Sequence, residues 1–279
     1  MIRGIYTAAS GMLCEIVRQD MIANNLANVD TAGFKRDQGI FKELPTMTLR
    51  KVNDGKLYPP RPLYKFPKIG KLGTGAIIDE SHTDFTAGKF QFTDNDLDCG
   101  LENNKAFFVM ETPRGTRFSR DGAFTVDQNG FLVSHAGDYV LAEPEPPVET
   151  TGPLLDGQGN PTGEFTRVQV GQTDRIKIDT EGRVIVNDRP AFRLIRGMAS
   201  DRKAFRKDQS NDFVRAYGEV ARADGKVKPG YLEKPNFSLV EEMVKMIEVS
   251  RAYEANSKVI QAHETLLDRA INSVGPSRR

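Results

Sequence analysis

An α+β fold is predicted for this chain: a long helix at each end and an antiparallel, β-rich region between them. Three observations carry the prediction. Residues 239–271 place core-type positions every 4,3,4,3 residues, and the first 28 residues repeat with the same period. From Phe85 to about Gly218 the pattern changes to alternation with period two, broken by turn residues.

The C-terminal helix is expected to begin after Ser238, which forms a capping box with Glu241, and Pro235 keeps it from extending backward. Gly275-Pro276 stops it. Its seam reads Leu239, Met243, Met246, Ser250, Tyr253, Ser257, Ile260, Glu264, Leu267 and Ile271. That is about five heptads, long enough to signal a coiled coil. The N-terminal helix answers with Ile2, Ile5, Ala9, Met12, Ile16, Gln19, Ala23 and Leu26. A second stripe, Leu13, Val17 and Met21, lies off that seam, so more than one neighbour is implied. Polar residues on the seams, Gln19, Ser250, Ser257 and Glu264, cost stability and fix register.

Asn24, Asn25 and Asn28 crowd the end of the first helix, where their amides compete for backbone groups unless partners satisfy them. Two readings stand together: a helix end with Asn28 and Gly33 as terminators, or a hydrogen-bonding platform between packed helices. Residues 35–84 lack periodicity and carry Pro45, Pro59, Pro60, Pro62 and Pro67, which reads as an extended arm with a short strand pair. The β region carries turn signals at 113–115, 121–122, 129–130, 136–138 and 180–182. Asn129-Gly130 is the strongest, as a type I′ hairpin. A break at Glu143–Gly163 reads as a loop and Lys226–Pro235 as a linker. The chain thus divides into an N-terminal helix (1–34), an arm (35–84), a β-rich outer domain (85–228), and a linker with the C-terminal helix (229–279).

Composition excludes several classes. Lys+Arg 39 against Asp+Glu 38 leaves a formal net charge of +1, so no footprint for nucleic acid or an anionic membrane is expected. No apolar run approaches the ~18–20 residues of a membrane span. Glu15, Arg18 and Asp20 interrupt the N-terminus, so it does not read as a secretory signal. Cys14 and Cys99 lie in different segments and argue against a disulfide framework. His82, His135 and His263 lack zinc spacing, and Asp94–Gly100 departs from a calcium loop at Cys99 and Lys105. No nucleophile or metalloprotease motif occurs, so neither catalysis nor a cofactor is expected.

Against that background, Ala23-Asn24-Asn25-Leu26-Ala27-Asn28-Val29 followed by Thr31-Ala32-Gly33-Phe34-Lys35 resembles the N-terminal signature of bacterial flagellar rod and hook proteins. Glu242-Met243-Val244-Lys245-Met246-Ile247, then Arg251-Ala252-Tyr253-Glu254-Ala255-Asn256, is similar to the signature at the other end of that family. Ala106–Val109, Phe118–Phe124 and Gly130–Val133 resemble its outer domain. The resemblance implies a non-enzymatic subunit of the flagellar axial structure, with both terminal helices paired in an inner tube and the β region outward. It implies export without a cleaved signal and a periplasmic place in the basal-body rod, where the tube transmits torque from motor to hook. The implied partners are copies of the chain, other rod and hook axial proteins, the export apparatus and rod-surrounding rings. Interface positions carried over are Asn24, Asn25, Asn28, Gly33, Phe34, Arg251, Tyr253, Glu254 and Asn256, beside the apolar seam residues.

Three departures refine this. Distal-rod members carry a tryptophan where this chain has Tyr6, which favours a proximal-rod member. Asn103–Ala106 replaces a glycine-rich turn, and Lys234–Phe237 replaces a Ser-Asn-Val linker. A distal-rod or hook-type subunit, and a dimeric β-domain binding module, remain the alternatives.

Overall fold

The computed structural model describes residues 2–50, 68–145, 154–155, 165–171, 175–199, 201, 204–208, 211–223 and 225–274. They fall into two compact units: 1–26 with 37–82 and 239–279, and 27–36 with 83–238.

The first unit holds both helices. α1 spans Ile2–Ala27 and α2 spans Leu239–Val274, starting directly after Ser238. The arm supplies β1 (Asp37–Glu43), β2 (Met47–Arg50), β3 (Lys68–Leu72) and β4 (Ala76–Thr83). β1 pairs with β4 and β2 with β3, so the arm carries two strand pairs rather than one. Pro59, Pro60, Pro62 and Pro67 lie outside the described residues. The arm runs along α1: Ser10 Oγ accepts from the Ala76 amide at 3.4 Å, and a Cβ at Gly39 would stand 3.2 Å from Met21 Sδ.

The second unit is antiparallel β. Its early strands are β5 (Phe90–Phe92), β6 (Cys99–Leu101), β7 (Ala106–Thr112), β8 (Gly115–Ser119), β9 (Phe124–Val126), β10 (Leu132–Ser134) and β11 (Tyr139–Pro144). β12 (Thr166–Arg167), β13 (Ile176–Ile178), β14 (Arg183–Val186), β15 (Arg189–Leu194) and β16 (Arg196–Ala199) follow. β17 (Phe205–Lys207), β18 (Asp212–Arg215), β19 (Val220–Arg222), β20 (Val227–Pro229) and β21 (Tyr231–Glu233) complete it. The main ladder runs β13-β14-β15-β11-β7-β8-β18-β17.

β7 is the spine because Ala106–Met110 is buried on both faces. Phe108 and Met110 join one core cluster with Phe124, Leu132, Val140 and Val184. Phe107 and Val109 point the other way, into a second cluster with Phe85, Phe118, Phe205 and Phe213. Its aromatic rings meet tilted or edge-on, Phe107 at 4.7 Å from Phe205 and 6.0 Å from Phe85. Each such burial contributes about 1.5–3 kcal/mol.

Two local expectations need correction. The β9–β10 turn is not type I′, because Gly130 alone of the Asn-Gly pair has positive φ. Gly130 N donates to Asp127 O at 2.9 Å and Asp127 N to Phe131 O at 2.8 Å. That is a longer loop closed by a left-handed glycine. The stretch 226–235 is not a bare linker either. It forms β20 and β21, paired with β6 and β5 respectively. Three-residue strands bounded by Gly230 and Pro235 carry too little alternation to read from sequence.

Candidate functional site

The candidate site is the helix pair and the two polar nodes that fix the chain ends. Within the first unit, α1 and α2 run antiparallel in a constant register. A Cβ at Gly4 would come within 2.5 Å of His263 Nε2, and one at Gly11 would stand 3.0 Å from Asn256 Nδ2. Asn25 Nδ2 donates to Glu242 Oε2 at 3.4 Å. Each pair lies on the same heptad frame, and the residues are small or polar.

This seam is offset by one residue from the predicted one. On α1 the most enclosed positions are Ala8, Cys14, Ile22 and Asn25, while Ile5, Ala9, Met12 and Leu26 are half-buried and Ile16 is exposed. On α2 Met246, Tyr253, Asn256, Ile260 and Leu267 are half-buried, with Glu242 and Val249 buried between them. Met243, Arg251, Glu254 and Ile271 are exposed, and so is Asn24. The side chain of Ile2 lies outside the described ones. The apolar residues expected in the seam therefore split between it and the open face. Tyr6 is 70% exposed, Leu13 65% and Val240 68%, with Val17, Val244 and Ile247 also exposed.

Asn25 anchors the seam. Its Oδ1 accepts from the Asp37 amide and its Nδ2 donates to the Asp37 carbonyl, both at 3.1 Å. A buried carboxamide thus pairs with the backbone at the start of β1 and with a carboxylate on α2. Glu242 Oε1 takes Lys245 Nζ at 2.9 Å, and Glu241 takes the same ammonium at 2.8 Å. Burial works to lower the pKa of Lys245, but its bonds to Glu241 and Glu242 outweigh it and hold the pKa above its usual value. For Asn25 the platform reading is the one the structure realises. Asn28 instead closes the turn after α1, its carbonyl accepting from Thr31 N at 3.2 Å.

The second node lies in the β unit. Gly33 has φ +67°, and a Cβ there would overlap the Arg120 backbone, so both conformation and space demand glycine. Gly33 N donates to Glu233 O at 2.7 Å. Phe34 is buried edge-on against Phe237 at 6.1 Å, with Lys207 Nζ 3.6 Å above its ring. Lys35 Nζ donates to Glu233 Oε1 at 2.6 Å and to Thr86 O at 2.7 Å. Arg120 takes the other carboxylate oxygen, Nε at 2.9 Å and Nη2 at 2.6 Å, while Nη1 donates to Ala106 O at 2.6 Å. Burial pushes the Lys35 ammonium below its usual pKa; Glu233 opposes that and Arg120 adds to it. Nearby, desolvation pushes Asp121 up to about 6, against the Ala123 amide and His135 and with help from Asp212 and Asp98.

Sequence reasoning missed Glu233, placed in an assumed linker, and Gly4 and Gly11, which carry no hydrophobic signal. Glu242, Lys245, Lys35 and Arg120 all lay inside recognised signatures, where their charges amid apolar neighbours were the available clue. Cys14 and Cys99 are buried and free. No helix among the described residues is long and apolar enough to cross a membrane.

Three family signatures match the chain. "Flagella basal body rod protein" covers residues 5–35, "Flagellar hook protein FlgE/F/G D1 domain" 103–186, and "Flagellar basal body rod FlgEFG protein C-terminal" 228–273. The basal-body rod protein FlgG of Borreliella burgdorferi is 31% identical over 277 residues, spanning 98% of each chain. FlhO of Bacillus subtilis, a hook-basal body complex protein, is 27% identical over 297 residues and 99% of each chain. The basal-body rod protein FlgF of Rhizobium meliloti is 28% identical over 279 residues and 99% of each. With Asn25 and Lys35 inside the N-terminal match, Glu233 and Glu242 inside the C-terminal one, and 31% identity to a rod protein over nearly the whole chain, the chain belongs to the flagellar basal-body rod protein family.

Proposed function

We propose that this chain is a non-enzymatic structural subunit of the flagellar basal-body rod, assembling through its terminal helices into an open-ended tube that transmits torque. The observation that carries this is the inverted distribution of side chains on the helices. The face joining α1 to α2 sets Gly4, Gly11, Asn25, Asn256 and Glu242 beside only a few apolar residues such as Ile22 and Val249, whereas Leu13, Val17, Val240, Val244 and Ile247 are exposed. A monomer with such stripes open is incomplete, and long helices gain most of their stability from packing an apolar face. Contact between the α1 stripe of one copy and a different patch of the next is heterologous and extends without closing. In this reading the helices form a coiled-coil inner domain, and Asn25 with Glu242 sets register.

Partners follow from the same picture: further copies, other axial proteins, the export apparatus that delivers the subunit, and surrounding rings. A proximal place in the periplasmic rod is favoured by Tyr6 standing where distal members carry tryptophan. The test is sedimentation of the full chain across concentration, beside a Leu13→Asp, Val244→Asp variant. The wild type should form open-ended polymers, and the variant should stay monomeric with its β unit folded. A discrete wild-type dimer, or polymerisation of the variant, would sink the reading.

A further inference from the structure

Beyond the assembly face, the chain carries a second device where its strands leave the β unit. The chain passes between the two units four times, at 26/27, 36/37, 82/83 and 238/239. Three of those passages have their β-unit ends at Arg36, at Thr83–Thr86 and at Asn236–Ser238. They are not independent threads, because one carboxamide joins them. Asn236 Oδ1 accepts from the Arg36 amide at 3.0 Å. Its Nδ2 donates to Asp84 O at 2.7 Å and to Thr86 Oγ1 at 3.1 Å. A carboxamide offers two N–H donors and an acceptor oxygen, and each is engaged here.

The first two of these strand ends are also tied to each other. Asp84 N donates to Arg36 O at 2.9 Å, and Arg36 Nε donates to Asp84 Oδ2 at 3.2 Å. Thr86 N donates to Asp84 Oδ1 at 3.0 Å. Burial works to raise the pKa of Asp84, but bonds from Thr86 and Arg36 outweigh it and hold the carboxyl below its usual value. Beside this ring of bonds Lys35 Nζ reaches Thr86 O, and the Phe237 ring packs edge-on against Phe34. Pro235 stiffens the backbone just ahead of Asn236, so less freedom is lost when the carboxamide is bound.

We infer that Asn236 is a clasp, making the β-unit ends of these three passages open and close as one. Side-chain bonds shared among three strands are cooperative, since losing one frees a group that holds the next. On the rod reading above, on which this consequence rests, force arriving along one strand is shared by all three. A single strand is then not peeled from the β unit.

The test is amide hydrogen exchange of the full chain, kept dilute so that it does not polymerise. It reads the clasp by itself, whereas sedimentation decides the rod. Asn236→Ala removes the acceptor of the Arg36 amide but leaves the Arg36 carbonyl to which the Asp84 amide donates. Exchange at both amides should nevertheless rise, by roughly tenfold, while Phe108 and Val109 in β7 keep their wild-type rates. Thr86→Val removes only the hydroxyl and should raise the same amides by a smaller factor, which keeps the clasp testable should the alanine variant fold poorly. A rise at Arg36 alone would reveal a merely local bond and overturn the clasp. An equal rise at Phe108 and Val109 would mean general loss of stability and overturn it too, as would unchanged exchange at Arg36 and Asp84.

Discussion

The two units of this chain distribute their apolar residues in opposite ways. In the β unit Phe107, Phe108, Phe118 and Phe213 are enclosed, and the buried charges Lys35, Arg120 and Glu233 answer one another. In the helical unit the buried anchor is Asn25 with Glu242, while Leu13, Val17, Val240 and Ile247 are left outside. The difference sets a β unit that encloses its large apolar side chains beside a helical unit that leaves several of them open to solvent, as the proposed assembly requires.

The hardest test of that contrast is Glu233→Ala. It leaves the side chains of Lys35 and Arg120, 2% and 1% exposed, without their carboxylate. Removing one partner of a buried ion pair costs about 3–5 kcal/mol. Urea unfolding followed by tyrosine fluorescence should show the midpoint fall sharply. An unmoved midpoint would mean the β unit does not depend on this node. Asn25→Ala should be milder, at about 1–3 kcal/mol for the Asp37 and Glu242 groups left without a partner. Its loss should appear in the helical signal and in assembly, with the β unit retained; equal loss in both units would erase the distinction between them.

The smallest effect is expected at Asp121. A carboxyl with a folded pKa of about 6, above the ordinary ~3.9, binds its proton more tightly in the folded state. The stability it withholds is therefore fully missing above pH 6 and returns as pH falls from 6 toward 4. Asp121→Asn keeps an oxygen for the Ala123 amide, which donates to Oδ1 at 2.9 Å. It should stabilise the chain by on the order of 1 kcal/mol at pH 7.5 and by nothing near pH 4. A constant difference across that range would remove the titration from the account.

Much of this was legible beforehand, for reasons visible in particular residues. The start of α2 at Leu239, directly after Ser238, was legible because a Ser followed three residues later by Glu is a local helix-start signal. The unbroken apolar run Phe107–Met110 marked a strand, since burial on both faces calls for a large apolar residue at every position. The seam was misplaced by one residue because periodicity reports where apolar side chains fall, and here much of the inner face is made by Gly4, Gly11, Asn25 and Asn256, with Ile22 and Val249 among them. Hydrophobic pattern is blind to a contact built from close approach and hydrogen bonds. Glu233 was hidden for another reason: nothing near it in sequence hints at Lys35, its partner 198 positions away.

That separation has a consequence for timing. A polypeptide that emerges from its N-terminus presents Lys35 and Arg120 long before the acid that neutralises them, and Gly33 before the carbonyl it donates to. The Lys35–Glu233–Arg120 latch can close only once position 233 has been made, so its two cations wait for most of the chain.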